Sequence, residues 1–299
     1  FTYLREMKKE RANIKDIKSV LTGYINDSLS LLEKGSMPDE KSVHDIRVLM
    51  KKARATIRLI SSQFDKKSYE KEFFTFRESG RTLRLWREAS VHRKTLKSFR
   101  KSHTLLFKSL DNNEIISQLM KKPDVQPAVS PEHDENITRI YEILNKAKYR
   151  IRFQRIIHPE MTVLLSEINK TYQRVSDLFL RARNDTKPSN LHEFRKRLKD
   201  FLYQIYFLRA VKPNVIKSLE KKIDLMTQNL GKYNDLAVLI DTLGYSYSWQ
   251  KNDPALDELV IIIRQAQDRY LSKIWPQAHA IFGPGKTLPG NLGVPPPAY

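Results

Sequence analysis

Cysteine is absent from the 299 residues, which excludes disulfides, thiolate nucleophiles and cysteine-ligated zinc. Glycine is scarce: there are nine, and several fall within the last seventeen residues. No apolar run approaches the roughly 20 residues a membrane-spanning helix needs. No signal-peptide pattern opens the sequence. These absences lead us to expect a soluble cytoplasmic protein without membrane insertion. Acidic residues are also in deficit, with 34 Asp and Glu against 54 Lys and Arg, a formal charge of +20. Such an imbalance says nothing about fold but predicts attraction to a polyanion.

What the chain does have is helical periodicity. Apolar residues recur at spacings of three and four, not two. The pattern predicts helices over 3–34, 42–62, 67–79, 81–120, 134–156, 160–184, 190–210, 213–231, 233–248 and 254–281, an all-α protein. "KGSMPDEKS", "NDTKPSN" and "WQKNDP" supply the stops. The strongest break is "KKPDVQPAVSPEHDE" at 121–135, rich in proline and without periodicity.

The two sides of that break resemble each other. "SVHDIRVLMKKARATIRLI" begins at 42 and "NLHEFRKRLKDFLYQIYFL" at 190. Aligning His44 with His192 gives an offset of 148 (192 − 44), which pairs Arg47 with Arg195, Lys51 with Lys199 and Ile57 with Ile205. Further on, "LRLWREASV" pairs with "LGKYNDLAVL" at an offset of 147 (230 − 83). The expected organisation is one helical domain over 1–281. It comprises half 1 (about 1–120), a linker (121–135) and half 2 (about 136–281). A Gly/Pro-rich tail (282–299) follows, expected to be a flexible extension or a leftover of expression, with no fold of its own.

Each histidine helix carries two stripes. Ser42 with Asp45, and Asn190 with Glu193, look like N-caps with their following acids, which would put each histidine in the first turn. At about 100° per residue, Arg47, Lys51, Arg54 and Arg58 fall within roughly 80° of His44. Val43, Ile46, Met50, Ala53, Ile57 and Ile60 take the adjacent face. In the second copy His192, Arg195 and Lys199 begin the same stripe, and Leu202 and Tyr206 replace its last two cations. Like charges one turn apart cost a helix a few tenths of a kcal/mol per pair. A row of phosphates would reverse that sign. The competing reading is a solvated charged face with helix-start imidazoles bonded to backbone.

"VHDIRVLMKKARA", "LHEFRKRLKDFLY" and "NLGKYNDLAVL", with "LRLWREASV" a weaker counterpart, resemble the CHAD domain family. The resemblance runs from about residue 8 to 281. It implies two antiparallel four-helix bundles related by a pseudo-twofold axis, with the histidine helices lining a basic channel or cleft that binds inorganic polyphosphate. It also implies a ligand set of His44, Arg47, Lys51, Arg54, His192, Arg195 and Lys199. The chain departs from the family pattern at "MKKAR", where arginine is commoner, and at Phe201-Leu202, where a further basic residue is usual. To the candidate site we add Arg58 from the same stripe, Lys196 from the second motif, and Arg84 and Arg87 from "RESGRTLRLWRE".

Other features weigh less. "KAKYRIRFQR" spreads Lys146, Lys148, Arg150, Arg152 and Arg155 around a helix. Trp86, Tyr233 and Trp275 sit among apolar neighbours and read as core. "AIFGPGKT" at 280–287 satisfies a relaxed P-loop pattern, but a P-loop needs a strand before it and a helix after it. Here a helix precedes, and "LPGNLGVPPPAY" follows, which reads as non-helical. No Ser/His/Asp set, metal-ligand spacing or cofactor motif stands out, so no enzymatic activity and no cofactor are expected. The partner is expected to be polyphosphate, in the cytoplasm and at polyphosphate granules. The alternative is nucleic acid. Against it, the stripes are expected to face inward between the halves, and no exposed aromatic platform is expected for stacking bases.

Overall fold

The structure is a computed structural model that describes residues 16–32, 38–121, 131–156, 160–247 and 253–293; the side chains of 84–90, 131–134 and 245–247 lie outside that description. The described residues are helical and include no strand. In chain order the helices are α1 (Ile17–Leu32), α2 (Glu40–Leu59), α3 (Lys66–Thr82), α4 (Arg84–Ser102), α5 (Thr104–Ser109) and α6 (Glu114–Met120). They continue with α7 (Pro131–Phe153), α8 (Met161–Asn184), α9 (Pro188–Ile205), α10 (Pro213–Tyr247), α11 (Pro254–Phe282) and α12 (Leu288–Asn291).

Local sequence explains most boundaries. Asp39 accepts a hydrogen bond from Ser42 N at 2.7 Å and starts α2, while Asp65 does the same for Ser68 N at 2.9 Å before α3. Both satisfy a backbone donor that the first turn leaves unpaired. Pro188 and Pro254 each take the first helical position, where a missing N–H costs nothing. Two expected helices are divided differently. The single helix expected over 81–120 is three, interrupted at His103 and again before Asn113, whose side chain caps α6. Conversely, the break expected between 231 and 233 does not exist: α10 runs continuously through Gly231 for 35 residues.

The core follows a different order from the chain. Helices α1, α2, α3 and α7 pack as one group, and α8, α9, α10 and α11 as another. Ile140, Leu144, Ala147 and Ile151 of α7 bury themselves against Leu21, Ile25 and Leu29 of α1 and Phe76 of α3. So the helix that opens inside the proline-rich stretch packs with elements before that stretch. The reverse also holds. Leu96, Leu106, Phe107, Leu110 and Ile116 from α4–α6 pack on Leu236, Leu239 and Leu243 of α10 and Leu256, Leu259 and Ile263 of α11. Asn113 Nδ2 donates to Asp253 Oδ2 at 2.8 Å and ties the starts of α6 and α11 together. The two groups join where α2 meets α9. There the buried Gln204 amide donates to the Ala55 carbonyl at 3.2 Å.

The tail departs from expectation. Residues after Gly283 turn into α12, capped by Thr287, and bury Leu288 and Leu292. Asn291 Nδ2 donates to the Ile281 carbonyl at 2.9 Å and to the Tyr172 hydroxyl at 3.2 Å. Lys212 Nζ reaches the Leu292 carbonyl at 3.0 Å. The glycines and prolines make a compact turn here, with Gly285 and Gly293 at positive φ. The P-loop pattern thus lies between the end of α11 and a four-residue helix.

Candidate functional site

The apolar stripe expected on α2 is the buried one: Val43, Ile46, Met50, Ala53, Ile57 and Ile60 are all in the core. On α9, Leu191, Phe194, Leu198, Phe201 and Leu202 do the same. Burying these faces fixes the rotation of both helices and leaves the basic stripes beside them.

Each histidine is the fifth residue of its helix, not in the first turn. The caps account for the difference: Asp39 replaces Ser42, and Lys187 followed by Pro188 replaces Asn190. The helix-start N–H groups therefore lie a turn away from the imidazoles. Both histidines are exposed. His192 Nδ1 stands 2.9 Å from Asn234 Oδ1. An amide oxygen only accepts, so Nδ1 carries the hydrogen, and Nε2 must gain a proton to donate elsewhere. Asn234 was not among the expected site residues; its signals were the place of the "NLGKYNDLAVL" segment in the repeat and that segment's share in the family resemblance.

Arg47 and Arg195 act alike. Arg47 Nη1 donates to the Gly80 carbonyl, and Arg195 Nε donates to the Thr227 carbonyl at 3.4 Å. Gly80 and Thr227 are themselves 147 apart (227 − 80). Arg195 lies over Gly231, where a Cβ would come within 3.0 Å of its Nη2. This close approach explains a glycine in mid-helix.

Toward the α2–α9 crossing the cations gather around two carboxylates. Asp200 Oδ2 takes hydrogen bonds from Arg58 of α2 and, at 3.1 Å, from Arg197 of its own helix. Arg58 also lies 4.9 Å from the Phe73 ring centroid, a cation–π contact. Arg54 is next to them. Burial lowers its pKa most; Arg58, Arg77 and Arg197 lower it further, and Asp200 opposes them. The second cluster forms on Asp224 of α10, which Lys199 Nζ meets at 3.2 Å. Burial again dominates and lowers the Lys199 pKa, Arg195 and Lys52 adding to the effect and Asp224 opposing it. Lys51 is half-buried on the same stripe of α2. Lys196 is exposed and pairs with Glu193 at 2.6 Å, which holds that carboxyl below the usual range. The side chains of Arg84 and Arg87 lie outside the described residues.

Sequence periodicity missed Asp200, Asp224, Arg197 and Lys52. On a helical wheel Arg197 falls about 140° from His192 and Asp200 about 80° on the far side of the stripe. They enter the site only because a second helix crosses there. Other cations are engaged elsewhere. Arg150 forks onto buried Glu72 of α3, and both line a cleft with Phe64, Lys67, Lys71 and Phe153. Tyr233 is buried, and Trp275 packs on the core 6.2 Å from the Phe179 ring; Trp86 lies outside the described side chains. Aromatic exposure differs from expectation: Tyr149 and Phe153, one turn apart on α7, are 62% and 79% exposed. Among the described residues no group of His, Asp and Glu has the arrangement of a metal site, and no helix is long and apolar enough to cross a membrane.

The family model of the CHAD domain matches residues 25–244, which include both histidine helices, Asp200, Asp224 and Asn234. The chain belongs to the CHAD domain family. No curated protein matches it. Among solved structures it is similar to the crystal structure of the CHAD domain from the plant Ricinus communis, with 15% identity and a TM-score of 0.47. The alignment covers 94% of this chain and 90% of that one.

Proposed function

We propose that this CHAD domain binds inorganic polyphosphate along two basic ladders that converge where α2 and α9 cross. The observation that carries this reading is the pair of cation clusters at one crossing: Arg58 and Arg197 on Asp200 with Arg54 beside them, and Lys199 on Asp224 with Lys52 and Arg195 acting on that lysine. From each histidine to the crossing is eleven or twelve residues, roughly 16–18 Å of helix at 1.5 Å per residue. That is a row of cations matched to a flexible chain of phosphates. Protonated Nε2 of His192, with His44 in the equivalent place, would donate to the outer phosphates. Arg47, Lys51 and Lys196 extend the rows.

The same reading makes the protein a binding module, not a catalyst, acting in the cytoplasm and at polyphosphate granules. It also takes the halves as an internal duplication about a pseudo-twofold axis. Two features support that. Glu40 and Pro188, the first residues of α2 and α9, are 148 apart, and a 3-10 turn follows each helix. The arginine-to-carbonyl bonds from Arg47 and Arg195 repeat at the same spacing within one residue.

Titration against salt tests the ladder. Neutralising about six phosphates of a flexible chain predicts a slope of log K on log salt of roughly −4. Affinity should rise with chain length until both ladders are filled. Equal affinity for orthophosphate and long chains would remove the model. Nucleic acid is the second reading, and Tyr149 and Phe153 beside Lys146, Lys148 and Arg152 favour it, because bases stack on such rings. Single-stranded DNA displacing long-chain polyphosphate at equal phosphate concentration, with the displacement lost in Tyr149→Ala with Phe153→Ala, would favour that reading.

A further inference from the structure

The acids in the two clusters do not occupy equivalent positions. At the offset of 148, Asp200 corresponds to Lys52 (200 − 148), and at 147, Asp224 corresponds to Arg77 (224 − 147). One cluster therefore has its carboxylate on the crossing histidine helix and a cation on the neighbouring helix; the other has the reverse. The arginine cluster is also the richer one. Arg58 and Arg197 bond to Asp200, with Arg54 beside them and Arg77 acting on Arg54, whereas Asp224 meets Lys199, on which Arg195 and Lys52 act.

Geometry separates the two acids as well. The Asp200 side chain is 14% exposed, and a single oxygen accepts from arginines on two different helices. Asp224 is 44% exposed. Beside Asp200, Arg54 Nε is buried without a hydrogen-bond partner. A donor of that kind is costly to leave unused. Two guanidinium groups converging on one oxygen, with a third donor unspent alongside, is the arrangement that a phosphate oxygen takes from arginine.

We propose that Asp200 is a resident stand-in for phosphate, from which a bound polyphosphate takes over Arg58, Arg197 and Arg54, so that this arginine cluster is the tight end of the site. The proposal rests on the polyphosphate reading of the ladders. Asp200 has two effects under it. It holds the arginines in place from both helices before binding, and its negative charge opposes the incoming chain. A carboxylate a few ångströms from a phosphate is a strong repulsion in a partly desolvated site. Removing it should tighten binding.

The test compares the wild type with Asp200→Asn, Asp224→Asn and Glu142→Gln, each titrated with long-chain polyphosphate. Glu142 is an exposed acid on α7 that pairs with Lys146 at 3.7 Å, and its replacement removes the same unit of charge elsewhere. Asp200→Asn should bind on the order of tenfold tighter at low salt, with a steeper salt dependence. Asp224→Asn should gain less, and Glu142→Gln under about twofold. Because Asp200→Asn leaves arginines unpaired, its melting temperature should fall without ligand and recover more than the wild type's when polyphosphate is added. That differential recovery keeps the proposal testable even where the variant is only marginally folded. A purely structural Asp200 would lower the melting point equally with and without polyphosphate, and that result would overturn the proposal. Equal gains in Asp200→Asn and Glu142→Gln would overturn it too, as a net-charge effect. A wild type that fails to bind polyphosphate defeats the underlying reading instead, and this proposal with it.

Discussion

Lys199 is a charged residue that the folded chain holds at a disadvantage. Its pKa lies below the ordinary lysine value, chiefly through burial. Between that lowered value and about 10.4, the unfolded chain holds more protons than the folded one, so stability rises with pH across that window. Phosphate favours the ammonium and works in the opposite direction. Affinity for polyphosphate should therefore weaken as pH climbs through the lowered Lys199 pKa toward the ordinary lysine value, and binding there should take up protons. Lys199→Arg keeps the charge through this range and should flatten the profile. Calorimetry in buffers of different ionisation heat reads the proton uptake; identical uptake in wild type and Lys199→Arg would exclude this lysine from the site. Arg47 and Arg195 carry a different expectation. Each donates to a backbone carbonyl of a neighbouring helix, so Arg47→Ala should cost about 1 kcal/mol of stability along with about 1.5–3 kcal/mol of binding. Lys217→Ala, at an exposed position near the start of α10, is the control and should change neither by more than about 0.5 kcal/mol.

Among the elements, α10 has the feature most easily tested. Gly231 sits inside a continuous helix, where alanine is ordinarily better by about 0.8–1 kcal/mol. The nearest atoms to an added Cβ are the guanidinium of Arg195, the far end of a flexible side chain. Gly231→Ala should then raise the melting point while displacing Arg195 and weakening polyphosphate binding. A variant stabilised and unchanged in binding would place Arg195 outside the ligand contacts. The apolar face of α2 was legible residue by residue, since a period of 3.6 defines one buried stripe. Its cap was not. Asp39 and Ser42 are both good capping residues three apart, and only the backbone conformation chooses between them. The helix break expected near Gly231 does not occur; the glycine instead makes room for a side chain from another helix.

At the scale of the whole molecule, the two packing groups exchange elements across the proline-rich stretch. Without α7, the first group exposes Leu21, Ile25 and Phe76, and without α4–α6 the distal ends of α10 and α11 expose Leu243, Leu259 and Ile263. Each of those side chains is worth roughly 1.5–3 kcal/mol when buried. A chain ending at residue 121 should therefore not fold alone. Urea unfolding of the full chain should give one cooperative transition, with tryptophan fluorescence and far-UV dichroism changing together. Two separated transitions would mean that the groups are stable independently.

The sequence by itself determined the all-helical class, the two histidine helices, the buried face of α2 and the family, because each depends on local periodicity or on motifs read within a few turns. It also placed Arg54, Arg58, Arg195 and Lys199 on one stripe of their helices. Only the tertiary structure decided which acids meet them. Asp200 reaches Arg58 from 142 residues away, and Asp224 reaches Lys199 from 25. It likewise decided that α7 packs backward across the linker and that the Gly/Pro-rich tail folds onto Tyr172 and Ile281. Helix periodicity fixes which way a side chain points around its own axis. Which helix stands opposite is set by how all the buried faces are covered at once, and that is a property of the packed chain.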